Sequence, residues 1–106
     1  MSSREQRIAE NEALFRDANE RIVRTEGARR DPIEIICECG DRDCLERINV
    51  KRTDYERARS DPALFLAATG HVKPDAEQIV SETADHQLLR KTGDAAVVAE
   101  ERNPRS

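Results

Sequence analysis

The chain has 106 residues, room for one small domain, and 37% of them are hydrophobic and 3% aromatic against 38% charged. Its formal net charge of −4 argues against non-specific attraction to nucleic acid or to an anionic membrane surface. No apolar run of signal-peptide length lies in the first twelve residues, and no stretch is long enough to span a bilayer. So thin an apolar core leaves a small margin over chain entropy, and a structural metal would offset part of that deficit. Phe15 and Phe65 are expected in the core.

Ser3 to about Glu26 reads as a long amphipathic helix, with Ile8, Phe15 and Ile22 seven residues apart and Leu14, Ala18 and Val23 widening the stripe. Gly27 is placed to end it, and Arg29-Arg30 to complement its negative pole. Asp31-Pro32 then breaks the chain into Ile33–Cys37, rich in β-branched residues and expected as a strand. Leu45–Val50 is expected to pair with it as a hairpin, Ile48 and Val50 sharing one face.

Thr53-Asp54-Tyr55-Glu56 has the form of a capping box opening a short helix to about Arg59. Pro62 suits a first helical position, but periodicity leaves Ala63–Ala68 undecided between helix and strand. Gln78–Ser81 and Gln87–Lys91 read as paired strands turning through Thr83-Ala84-Asp85. Asp94 is expected to cap a closing helix to about Arg102, and residues 104–106 to form a tail. The expected organisation is a helix over 1–30 and an α+β domain over 31–103, together one compact unit. The fold class is α+β: a long N-terminal helix, a small antiparallel sheet around a knuckle, and short helices after it.

The chemistry concentrates in Cys37-Glu38-Cys39-Gly40-Asp41-Arg42-Asp43-Cys44, which holds all three cysteines. Alternation aims Cys37 and Cys39 to one side of an extended chain. Gly40-Asp41 supplies a turn that brings Cys44 back towards them. An odd cysteine count at this spacing suits metal binding in a reducing cytoplasm better than a disulfide framework. Three thiolates leave one vacancy in a tetrahedral zinc shell, usually filled by a neutral imidazole. His71, behind Gly70 after an apolar segment, is favoured; His86, read as a solvated turn residue, or a carboxylate are the alternatives. Asp41 and Asp43 are expected to stabilise the turn or the shell rather than to ligate.

Zinc is favoured over free thiols, and over an iron–sulfur cluster, whose familiar spacings are absent. Three thiolates and a histidine close the shell and make zinc a poor Lewis acid, and no HExxH, P-loop or nucleophile elbow occurs. The site is therefore expected to be structural and the chain not an enzyme. Nucleic-acid binding is the natural rival for a small zinc module. Arg42, Arg47, Lys51, Arg52, Arg57 and Arg59 are, however, interleaved with Asp41, Asp43, Glu46, Asp54 and Glu56, and stacking aromatics are scarce.

The run Cys37-Glu38-Cys39-Gly40-Asp41…Cys44…Arg47-Ile48, then Tyr55-Glu56…Arg59, Phe65-Leu66 and Gly70-His71, resembles a family of small uncharacterised actinobacterial-type proteins. Asn11-Glu12…Phe15-Arg16 in the first helix and Lys91-Thr92-Gly93-Asp94 near the end are similar too, so the likeness runs from about Arg7 to Pro104. It implies that Cys37, Cys39, Cys44 and His71 form one site, that position 86 is not a ligand, and it carries no activity. The expected function is a zinc-stabilised adaptor or regulator that binds another protein, with self-association through the first helix as one route. A transcription-linked nucleic-acid binder and a thiol-based redox or zinc sensor are the alternatives.

Overall fold

The computed structural model describes residues 3–26, 30–72 and 77–105. Helix α1 spans Ser3–Glu26, and a first hairpin pairs β1 (Ile33–Ile36) with β2 (Arg47–Val50). Helix α2 covers Arg52–Arg59. A second, three-stranded antiparallel sheet follows in the order β3 (Leu64–Ala68), β5 (His86–Lys91), β4 (Glu77–Glu82), and α3 (Gly93–Glu101) closes the chain. The architecture is α+β, with two small sheets where one was expected. Gly27 and Arg29, expected at the helix end, lie outside the described residues. Arg30 is described and pairs with Glu26 at 3.2 Å.

The hairpin follows from its pattern. Ile33 pairs with Val50 and Ile35 with Ile48 across the ladder, so one face of each strand is apolar while Glu34 and Asn49 face solvent. That face joins Tyr55 and Ala58 of α2, Leu64 and Leu66 of β3, and Leu88 and Leu89 of β5 in one core cluster. Each large apolar side chain buried there contributes about 1.5–3 kcal/mol. Residues 63–68 are strand rather than helix: Leu64 to Ala68 pair with Arg90 to His86 along the end of the sheet, and all five are buried, which favours a short continuous apolar run.

Two cap expectations fail. The N-cap of α2 is Lys51, with no side-chain cap, and Thr53 lies inside the helix. The Asp31 carboxylate reaches across and accepts from Arg52 N at 3.1 Å instead. Likewise Thr92, not Asp94, is the N-cap of α3. Pro62 sits in a turn and opens no helix. The expected tail is tied down: the Arg105 guanidinium donates to Glu20 at 3.0 Å and to Glu56 at 2.6 Å.

The largest correction concerns α1. Among its described side chains the buried ones are Ala9, Glu12, Ala13, Arg16, Asn19, Glu20 and Val23, a helical 3–4 repeat carrying four polar residues. Phe15 and Ile22 are only half-buried and Leu14 is exposed; Phe65 is in the core as expected. The polar face is buried because each of its four side chains finds partners, with Arg16 Nε the one buried polar atom of the described face left without a hydrogen bond. Arg16 donates to the carbonyls of Pro62 (2.7 Å), Ala99 (2.9 Å) and Arg102 (3.0 Å), satisfying the end of α3 while its guanidinium lies over the Phe65 ring. Glu12 and Glu77 both pair with Lys91. Burial pulls that ammonium down to about 7, against two carboxylates that favour its charged form.

Candidate metal centre

The metal loop is the tip of the first hairpin. Beyond the last ladder pair, Ile36 with Arg47, the antiparallel bonding continues as Cys37 N donates to Glu46 O at 3.1 Å. Residues 37–46 then bulge out as the loop. Asp41 organises the return: its side chain accepts from Asp43 N at 2.9 Å and its carbonyl from Cys44 N at 3.0 Å. Gly40 adopts φ +80°. A Cβ there would meet Glu12 Cγ at 2.5 Å and the Ile8 carbonyl at 2.9 Å, so glycine answers both the left-handed turn and the close approach of α1. Asn11 adds a bond to the Gly40 carbonyl at 3.2 Å.

Strand β3 supplies the rest. Glu38 N donates to Leu66 O at 2.9 Å, and Leu66 N donates back to the Glu38 carboxylate at 2.9 Å. One turn past the strand, His71 N donates to Ala68 O at 3.1 Å and Gly70 takes φ +88°. That turn carries the imidazole back over the knuckle.

The result brings together Cys37, Cys39, Cys44 and His71, whose ligand atoms all lie within 4.8 Å of one another. His71 Nδ1 stands 3.5 Å from Cys37 Sγ and 3.7 Å from Cys44 Sγ. Each sulfur also accepts a backbone N–H: Ala68 to Cys37 at 3.2 Å, Asp41 to Cys39, and Glu46 to Cys44. Such bonds stabilise thiolates and fix the direction of their lone pairs.

Packed so closely, the thiols compete for ionisation. A bond from Cys37 pulls the Cys39 thiol down to about 4. The same pairing, with burial, pushes Cys37 up, and burial pushes Cys44 up. A divalent cation held by the four groups would resolve the conflict by supplying positive charge, and its binding would release protons. The arrangement can hold a metal.

His86 stands apart. It is 7% exposed, not the solvated turn residue expected, and its Nδ1 lies 3.2 Å from Thr83 Oγ1. Strand β5 begins at His86 and turns the ring inward. Asp41 and Asp43 serve the turn and are not among the clustered groups.

Two residues that sequence reasoning passed over complete the site. Glu46 faces His71 Nε2 at 3.4 Å, leaving Nδ1 free to ligate. Glu38, fully buried, accepts from Arg59 Nη2 at 2.6 Å and Asn19 Nδ2 at 2.7 Å as well as from Leu66 N. Alternation between Cys37 and Cys39 already implied that Glu38 faces away from the sulfurs. Nothing local announced its partners, 19 to 28 residues distant.

The same contacts thin out the basic stretch. Arg59 is 4% exposed and paired with Glu38, and Arg52 is bound to the carbonyls of Arg30 and Val23. Among the described residues no helix is long and apolar enough to cross a membrane. Comparison with known proteins finds no matching family model, no matching curated protein and no matching solved structure.

Proposed function

We propose that the chain is a small zinc protein, non-enzymatic, whose Cys37–Cys39–Cys44–His71 site is structural and whose work is to bind another protein. The carrying observation is the spacing of the cluster. A tetrahedral zinc with Zn–S of about 2.3 Å and Zn–N of about 2.0 Å has S···N edges of roughly 3.5 Å. The two measured separations are 3.5 and 3.7 Å. Four ligands leave no open coordination position for water, and three thiolates quench Lewis acidity. Cysteines held outside any disulfide fit a reducing cytoplasm.

The partner half of the reading draws on exposed apolar residues at an unpaired edge. Strand β4 lies at the end of its sheet with Ile79 and Val80 about half exposed, a surface suited to accepting a partner's strand or apolar side chain. Nucleic acid is the weaker reading, since two of the arginines that suggested it are bound within the fold. Membership in the family of small knuckle proteins that the sequence resembles belongs to this same proposal.

Elemental mass spectrometry of the purified protein and of His71→Ala tests the metal. One zinc per chain, weakened or lost in the variant, is the expected result; no metal, or iron, overturns it. The partner reading is tested with the pair Ile79→Asp and Val80→Asp. Each should abolish reproducible partner capture while keeping full metal content, and a chain that captures nothing in its wild-type form refutes it.

A further inference from the structure

The four clustered groups are unequally hidden. Cys37 and Cys39 are 3% and 2% exposed, while Cys44 and His71 are only half-buried. The difference lies in what backs each half. Behind Cys37 and Cys39 stands Glu38, whose side chain is 0% exposed and bonded to α1, α2 and β3. On the other side, Glu46 meets His71 with a side chain 59% exposed. Asp43, Leu45 and Glu46 flank Cys44 and are all exposed, Leu45 to 88%. Each sulfur receives a backbone N–H, so backbone bonding does not single one out. Access does.

We propose that Cys44 is a modification site, the sulfur at which hydroperoxides and soft electrophiles attack the cluster and open it from its outer edge. Release of a metal by that attack rests on the zinc reading above; the order of attack rests on exposure alone. With a hydroperoxide, the Cys44 thiolate displaces hydroxide from one peroxide oxygen. An S–O bond forms, the O–O bond breaks, sulfur loses two electrons and the peroxide gains them. The resulting sulfenic acid lies within 4.8 Å of the Cys37 and Cys39 sulfurs. Condensation with either thiol forms an S–S bond and expels water. With an alkylating agent an S–C bond forms directly. Each product removes thiolate donors from the set, and the ion is then held by fewer ligands.

The experiment uses the wild-type, metal-loaded chain and less than one equivalent of N-ethylmaleimide, with a metallochromic dye present. Trypsin cutting after Arg42 separates residues 31–42, which carry Cys37 and Cys39, from residues 43–47, which carry Cys44. In the singly modified fraction, adduct on 43–47 should exceed that on 31–42 on the order of tenfold, as thiolate exposure dictates. Dye-bound zinc should rise in step with it. Equal labelling, or labelling of 31–42 first, overturns the proposal. Preferential Cys44 labelling with no zinc to release upholds the modification site while overturning the zinc reading.

Discussion

Removing the Glu38 carboxylate should cost far more than any change at the exposed rim of the site. Glu38 is fully buried and serves three donors: Arg59 Nη2 at 2.6 Å, Leu66 N at 2.9 Å and Asn19 Nδ2 at 2.7 Å. Burial opposes the Arg59 charge, and Glu38 more than offsets this, holding the guanidinium above its ordinary range. Breaking a buried pair by deleting one partner costs about 3–5 kcal/mol, a large part of the roughly 5–15 kcal/mol of a whole domain. Glu38→Ala is therefore expected to lose about 4 kcal/mol, the middle of that range for a broken buried pair.

Glu38→Gln isolates the charge. The amide oxygen can still serve Arg59 and Leu66, but its NH₂ then faces the Asn19 NH₂. Asn19 cannot turn to accept, because its oxygen already holds Ile36 N at 2.9 Å. A loss of about 2 kcal/mol is expected, typical of a hydrogen bond to a charged group. Glu38→Leu combined with Arg59→Met should recover most of the deficit, since apolar replacement of a whole pair is often neutral. Urea unfolding of wild type, Glu38→Ala, Glu38→Gln, the single variants Glu38→Leu and Arg59→Met, and their double variant in metal-buffered solution measures the set. Glu38→Ala within the roughly 0.5 kcal/mol of an ordinary surface change, or strictly additive Glu38 and Arg59 losses, would refute the reasoning. Chelator should also strip Glu38→Ala faster than wild type, since the residue anchors the chain between Cys37 and Cys39 to its neighbours.

Two further outcomes are expected. Gly40→Ala should cost more than Gly70→Ala, although both glycines are left-handed. A Cβ at 40 meets α1 while one at 70 meets nothing within 4 Å, so thermal melts should separate about 1–2 kcal/mol of backbone strain from the same strain plus overpacking of about 1–3 kcal/mol; equal losses would remove α1 from the account. The second concerns acid. Burial raises the Glu20 pKa, but bonds from Arg105 and Tyr55 win and hold it below its ordinary 4.5. Stability from this group is then complete above pH 4.5 and lost as pH falls through the lower folded value. Arg105→Ala should therefore weaken the protein at pH 7 and converge with wild type near the acid limit. An equal deficit at both pH values would assign Arg105 a packing role only.

What could be read from the sequence was whatever depends on near neighbours. The hairpin showed in the alternation of Ile33, Ile35, Ile48 and Val50, and the knuckle in three cysteines around Gly40-Asp41. His71 was reachable because the chain holds only two histidines and a glycine precedes this one. The buried face of α1 was not reachable. Its stripe of Ile8, Phe15 and Ile22 obeyed hydrophobic periodicity, yet the buried side chains include Glu12, Arg16, Asn19 and Glu20. Their burial depends on acceptors and counter-charges up to 86 residues away, which no local window contains. The caps failed for the same reason: Asp31 reaches across to α2 where Thr53 was expected to act locally.

That buried polar face also orders the events of folding. A helix such as α1 forms within about a microsecond, but its inner side cannot be completed then. Arg16 waits for the carbonyls of Ala99 and Arg102, and Glu20 for Arg105, partners 83 to 86 residues on. Until they arrive, docking α1 would bury the guanidinium against the Pro62 carbonyl and the carboxylate against Tyr55 with their remaining bonds unmade, which is dearer than leaving the helix solvated. On a ribosome the hairpin and knuckle can meet α1 through Asn11 and Asn19 while Arg16 and Glu20 still lack their C-terminal partners. The helix made first is thus locked in place last, when residues 99–105 come to meet it.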